Sequence, residues 1–200
     1  MCWSASVSLN TYIFSVFACI FAYMNGVLSI VNMMFIQSYC IMQLIEYFIW
    51  SKTFSNRLLS QIAWIIIYLQ PIFSMLTIAS PYQYVIPYAI VAYCVIMAYI
   101  FIYVYPWNTI QFESKKASNG HLAWYWLNSP FWVCCIWIFF LMISFILNKT
   151  YLIAFVVLAT LMASYILYKG TLTWGSMWCW VANYISIYLI YLVFAKEICK

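Results

Sequence analysis

A few residues in this 200-residue chain have side chains that could do chemistry. Glu46 is the acidic residue of a long hydrophobic stretch, His121 is the single histidine, and Cys2 follows the first methionine. A carboxylate, an imidazole and a thiol can together hold a borderline metal ion. If Met1 is removed, Cys2 also carries a free amine and becomes a candidate nucleophile or chelator.

The hydrophobic stretch that holds Glu46 also carries other polar side chains at helical spacing. Six residues share one face of a helix there: Asn32, Ile36, Tyr39, Gln43, Glu46 and Trp50. A second such face, in the next stretch, holds Gln70, Ser74 and Thr77. Polar groups inside a bilayer usually face other helices, so Gln43, Glu46 and Gln70 are expected to line a polar pocket. Simple hydrogen bonding between helices is the alternative for the two glutamines.

The segment around His121 is rich in aromatic residues. If it is helical, His121 and Trp124 share a face with Asn128, which is typical of a helix lying at the headgroup level. Alternatively, the segment folds over the mouth of the bundle. His121 and Trp124 would then approach Glu46 and the N-terminal residues Cys2 and Trp3. Both interpretations are kept.

The composition defines the setting of these residues. Hydrophobic residues make up 69% of the chain and charged residues 6%, whereas a soluble domain has about a quarter of its residues charged. The mean hydropathy is +1.00. The chain is therefore expected to be an integral membrane protein, with the lipid bilayer as its main partner.

The hydrophobic runs predict a single all-α domain over residues 1–200. Each run has about the 20 residues that a crossing needs, and none alternates with period two as a barrel strand does. Seven spans are expected, with six as an alternative because the sixth run is short. They lie near residues 7–25, 29–50, 58–79, 84–105, 130–147, 151–168 and 177–195.

Several other classes of protein are excluded. The eight basic residues are scattered between the hydrophobic runs and not gathered on one face, so nucleic acid is not an expected partner. Six of the eight cysteines lie inside hydrophobic runs and no CxxC occurs, so free thiols are expected. The chain lacks HExxH, GxSxG, P-loop and dinucleotide-binding motifs, and no particular cofactor is indicated.

The first hydrophobic run carries a stripe of small residues at helical spacing, which predicts a close helix-packing face. The stripe consists of Ser4, Ser8, Thr11, Ser15, Ala18 and Ala22. With seven spans, five basic residues lie on the side of the N-terminus and three on the other side. The positive-inside rule then favours a cytoplasmic N-terminus.

Short motifs along most of the chain resemble a family of polytopic membrane proteins of unknown function, found in bacteria and large DNA viruses. They are Met1-Cys2-Trp3-Ser4, the Met42 to Glu46 stretch, Gln70-Pro71, His121-Leu-Ala-Trp124 and Trp178-Cys179. The resemblance implies a fold and a set of residues but no activity. The high Ile, Tyr, Phe and Trp content suggests a viral member. In that family the loop before the His-x-x-Trp motif looks non-cytoplasmic. This opposes the cytoplasmic N-terminus that the count of basic residues favours, because both lie on the same side of the membrane.

Three hypotheses for function follow. The preferred one is a helix bundle that binds or conducts a proton, a metal ion or a small polar ligand, using Gln43, Glu46 and Gln70. Cys2, Trp3, His121 and Trp124 would close its mouth. The second is an intramembrane enzyme using Cys2, Glu46 and His121. The third is a structural scaffold in a host or viral membrane. Whether the chain forms a homo-oligomer is left open.

Overall fold

The computed structural model describes residues 4–179 and 181–198 and is nearly all-α, as predicted. Serine side chains cap the first two helices: Ser4 accepts from the Val7 N–H and Ser29 from the Asn32 N–H. The helices are α1 (Ala5–Met24), α2 (Ile30–Ser51), α3 (Asn56–Leu76), α4 (Ile86–Tyr99), α5 (Phe131–Leu147), α6 (Tyr151–Tyr168), α7 (Trp174–Trp178) and α8 (Val181–Ile198). A 3-10 turn (Tyr82–Val85) precedes α4, and a π-helix (Ile100–Val104) continues it.

Five helical segments of the described chain are long and apolar enough to cross a membrane. They are Ala5–Met24, Asn56–Leu76, Tyr82–Val104, Tyr151–Thr171 and Trp174–Lys196, and they correspond to the first, third, fourth, sixth and seventh predicted spans. The predicted second span, α2, carries Gln37, Gln43 and Glu46 among its apolar residues. The predicted fifth span, α5, has 17 residues. The expected count of seven is therefore not reached on length and apolarity alone.

The small-residue stripe of α1 is a packing face, as predicted. Ser8, Thr11, Ser15, Ala18 and Ala22 are all buried. The stripe faces α2 and α8, where short side chains let the helix backbones approach closely. The Ser186 hydroxyl of α8 donates a hydrogen bond to the Ser15 hydroxyl at 3.0 Å, so two of these buried hydroxyls satisfy each other.

The loops lie at two ends of the bundle. The hairpin end consists of residues 51–56, 105–130 and 168–179. The opposite end consists of residues 25–29, 77–81 and 148–150. There Asn148 accepts from the Ala79 N–H at 2.9 Å and donates to the Thr77 carbonyl at 3.0 Å. Lys196 donates to the Asn25 carbonyl at 2.9 Å, which ties the end of α8 to the end of α1.

Of the two interpretations of the segment around His121 and Trp124, the interfacial helix is wrong. Residues Ser114–Lys116 (β1) and Leu122–Trp124 (β2) form an antiparallel hairpin, with Ser114 opposite Trp124. Its turn needs a glycine, because Gly120 has a φ of +83° that other residues rarely adopt. Asn119 stabilises the turn by accepting from the His121 N–H at 3.1 Å. A tight turn with its own hydrogen bonds thus competes successfully with the helical pattern.

The last predicted span, residues 177–195, lies within the apolar helical segment Trp174–Lys196. Residue 177 falls in the short helix α7, and the long helix α8 begins only at Val181. The segment that precedes α7 turns through Leu172, which has a positive φ of 55°. This turn lies ahead of α7 and places α7 against the second strand of the hairpin.

Candidate functional site

The hairpin is attached to the start of α3 by one asparagine. Asn56 donates to the Ser114 carbonyl at 2.7 Å and accepts from the Ser114 N–H at 2.9 Å. A side-chain amide presents a donor and an acceptor with the spacing of a backbone group, so Asn56 pairs with Ser114 much as a third strand would. We call this pair the Asn56–Ser114 clamp.

Three more hydrogen bonds, two of them buried, extend the clamp. The Ser60 hydroxyl, one turn further along α3, bonds to the Asn56 side chain at 3.1 Å and to the Ser114 hydroxyl at 3.0 Å. The Trp126 indole N–H donates to the same Ser114 hydroxyl at 3.0 Å. This network is not among the features predicted from the sequence. The signal for it is the pair Asn56 and Ser60, which at a spacing of four lie on one face of the helix start.

The second strand is attached on its other side to the segment that leads into α7. The Trp124 backbone N–H donates to the Leu172 carbonyl at 3.0 Å. Asn119 donates to the Thr173 hydroxyl at 2.9 Å. The Trp124 ring stacks on the Trp126 ring, with centroids 4.8 Å apart, and both tryptophans are buried. The hairpin is therefore held between α3 and α7 and closes one end of the bundle.

A cavity of about 30 Å³ lies beneath the hairpin, with room for roughly two water molecules. Two residues singled out from the sequence, Gln70 and Trp124, line it together. Nearly half of the other lining residues are aromatic, and these aromatic residues come from α2, α3, α5 and α7. The aromatic lining residues are Tyr39, Tyr68, Trp124, Trp137, Trp174 and Trp178.

The two predicted residues each bring a buried polar atom to this region. The Gln70 side chain donates from Nε2 to the Ser38 carbonyl at 3.1 Å. Its Oε1 is buried, and so is the indole N–H of Trp124; neither atom has a hydrogen-bond partner in the part of the chain that the structure describes. Buried polar groups are normally satisfied, so these two atoms are candidate contacts for a further molecule, although the lining of the cavity is almost entirely apolar.

The lining residue Trp137 donates a hydrogen bond to a carbonyl that Pro71 leaves without its helical partner. A proline lacks the N–H that would bond to the carbonyl four residues earlier, which in α3 belongs to Ile67. The Trp137 indole N–H donates to this Ile67 carbonyl at 2.8 Å. Pro71 was visible in the sequence, but the identity of the group that would satisfy Ile67 was not.

We expect Trp137→Phe to lower the free energy of unfolding by about 2 kcal/mol, because it leaves a buried carbonyl unsatisfied. Combining it with Pro71→Ala should remove most of this penalty, since the new backbone N–H can reach Ile67. Trp132→Phe, on the exposed side of α5, is the matched control. Thermal unfolding of the four proteins in detergent gives the comparison. If Trp137→Phe lowers the free energy of unfolding equally with and without Pro71→Ala, Trp137 is not the group that satisfies the Ile67 carbonyl.

The other predicted site residues do not line this cavity. Gln43 and Glu46 are buried in the interior on α2, at 2% and 1% exposure. His121 lies half-buried on the hairpin, with its ring centroid 6.4 Å from that of Tyr168, and burial lowers the pKa of its imidazole. Cys2 and Trp3 lie outside the described residues. The structure thus joins Gln70 with Trp124 at the cavity.

The metal hypothesis gains no support within the described residues. No group of three or more histidine, cysteine, aspartate or glutamate side chains comes together there as a metal site would require. The expectation of free thiols is confirmed for the described cysteines. They are Cys19, Cys40, Cys94, Cys134, Cys135 and Cys179.

Five apolar helices of membrane-crossing length indicate the class of this chain, a helical membrane protein. Comparison of the chain with protein-family models, curated proteins and solved structures finds no match. The resemblance to a polytopic membrane family therefore stays a prediction, and the site must be interpreted from its own geometry.

Proposed function

We propose that this chain is an integral membrane protein of seven spans that binds a small uncharged polar molecule beneath its hairpin. The observation that carries the proposal is that Gln70 and Trp124, each with a buried polar atom, line the same cavity. Gln70 contributes a buried acceptor and Trp124 a buried donor, neither bonded to a described residue. A hydroxyl or an amide can satisfy both atoms at once, because it donates and accepts.

The lining favours a neutral ligand. None of the described residues around the cavity is a lysine, arginine, histidine, aspartate or glutamate. Burying an ion without a countercharge is very costly, so a cation or anion fits this lining poorly. With room for roughly two water molecules, the cavity limits the ligand to very few non-hydrogen atoms.

The positions of α2 and α5 support their inclusion as spans. Helix α2 packs against α1, α3 and α8, and its side chains Gln43 and Glu46 are covered by protein and not by lipid. The 17 residues of α5 reach the lower limit of a membrane crossing. With both included, the chain passes from one end of the bundle to the other seven times.

Gln70→Leu should abolish ligand retention because it replaces the buried acceptor with a group of similar size. The protein would be purified in lipid nanodiscs, denatured, and the released small molecules quantified by mass spectrometry. We expect about one molecule per wild-type chain and a loss of tenfold or more in Gln70→Leu. Gln37→Leu, a glutamine of α2 away from the cavity, should retain it. Equal amounts in both variants, or no molecule in the wild type, would refute the proposal.

A further inference from the structure

The exposed basic side chains of the described residues are divided unevenly between the two ends of the bundle. Five lie at or beside the hairpin end: Lys52, Arg57, Lys115, Lys116 and Lys169. The opposite end has Lys149 and Lys196, and the latter is engaged with the Asn25 and Gly26 carbonyls. The hairpin end therefore presents the larger positive charge to its surroundings.

The Asn56–Ser114 clamp gathers three of these charges. Arg57 follows Asn56, and Lys115 follows Ser114, so two hydrogen bonds of 2.7 and 2.9 Å hold their backbones side by side. Lys116 is the next residue of the strand. Lys115 forms an ion pair with Glu113 at 2.9 Å. Glu113 thus offsets the charge of one of these three basic residues.

Exposed aromatic residues near the three basic residues indicate how deep this part of the chain lies in the bilayer. Phe54, Trp107 and Trp132 lie at the same end and are each exposed by 43% or more. Aromatic rings in such positions are characteristic of the headgroup region of a bilayer. The basic cluster, on the loop and strand beside them, would then lie at the level of the lipid phosphates.

We infer that Arg57, Lys115 and Lys116 form a binding site for the phosphate group of an anionic membrane lipid. The guanidinium of Arg57 can bind two phosphate oxygens at once, and the two lysines add point charges around it. Basic groups near an anionic leaflet are attracted to it individually and additively. This inference rests on the membrane placement proposed above, but it is independent of the cavity.

Native mass spectrometry of the detergent-solubilised protein, titrated with phosphatidylglycerol, tests the site. Arg57→Gln should weaken lipid binding about fivefold, and the triple variant with Lys115→Gln and Lys116→Gln about a hundredfold. Lys149→Gln removes one charge at the opposite end and should leave binding unchanged. Equal weakening by Arg57→Gln and Lys149→Gln would show a general charge effect and overturn the inference.

Two more measurements distinguish a lipid site from a site for free phosphate and test the role of charge. The charge-conserving variant with Lys115→Arg and Lys116→Arg should bind as the wild type does, whereas loss of binding would overturn the charge argument. Inorganic phosphate at the lipid's concentration should not displace phosphatidylglycerol. Displacement would mean a site for free phosphate. Failure of the wild type to enter neutral phosphatidylcholine nanodiscs would instead refute the membrane placement itself.

Discussion

Gly175→Ala should detach the hairpin from α7 and lower the free energy of unfolding by about 3 kcal/mol. A Cβ atom at this position would lie 2.6 Å from Trp124 Cε3 and 2.7 Å from Leu127 Cδ2. The Trp124 ring has little freedom to move, because it stacks on Trp126 and its backbone is bonded to Leu172. In an ordinary helix, replacing glycine with alanine stabilises the fold. A loss of stability in Gly175→Ala would therefore come from the close packing against Trp124 and Leu127.

Gly170→Ala provides the control for this prediction. No atom lies within 4 Å of a Cβ built at Gly170, which precedes the same turn. Thermal unfolding in detergent would be measured for both variants, together with hydrogen exchange of residues 114–124. Gly175→Ala should accelerate exchange across both strands, whereas Gly170→Ala should not. If both variants match the wild type, the close contact between α7 and Trp124 is not present.

Asn56→Ala should be nearly as damaging, with a loss of about 3 kcal/mol. It removes two hydrogen bonds to the Ser114 backbone and one from Ser60, and it leaves the Ser114 backbone groups unsatisfied. The hairpin then remains attached to α3 mainly through the hydrogen bond between the Ser60 and Ser114 hydroxyls. Hydrogen exchange should show the first strand opening before the transmembrane helices do.

The Asn56→Asp variant divides this effect into its parts. A carboxylate still accepts from the Ser114 N–H and the Ser60 hydroxyl but cannot donate to the Ser114 carbonyl. We therefore expect an intermediate loss. Asn108→Ala, at an exposed position before the same hairpin, should change neither stability nor exchange. If Asn56→Ala changes stability and hydrogen exchange as little as Asn108→Ala does, the Asn56–Ser114 clamp does not hold the hairpin in place.

The elements predicted correctly from the sequence are those whose burial repeats along the chain. The stripe from Ser8 to Ala22 recurs every three or four residues, so its pattern alone identifies a packed helix face. The helix α6 was placed at residues 151–168, as observed, because a continuous apolar run can satisfy its backbone only as a helix in lipid.

The elements that were mispredicted depend on residues far apart in the chain. Trp124 has a helical neighbourhood in sequence, but its strand is fixed by Ser114 and by Leu172, 48 residues away. The cavity has the same origin, since Gln70 was found by its spacing while the aromatic lining comes from four helices and a strand. Long-range pairings leave no periodic trace, and only a tertiary structure can show which of many aromatic residues converge.

The contact between α1 and α8 has a consequence for the order of assembly. Ser15 and Ser186 are 171 residues apart in the chain, yet they share a hydrogen bond in the interior. During synthesis the first helix therefore enters the membrane long before its final neighbour exists. The hydroxyl stripe of α1 therefore packs only against α2 at first. Its contact with α8, and the hydrogen bond from Lys196 to the Asn25 carbonyl, form after α8 has been synthesised. A chain interrupted before residue 181 would leave the α8-facing side of α1 uncovered.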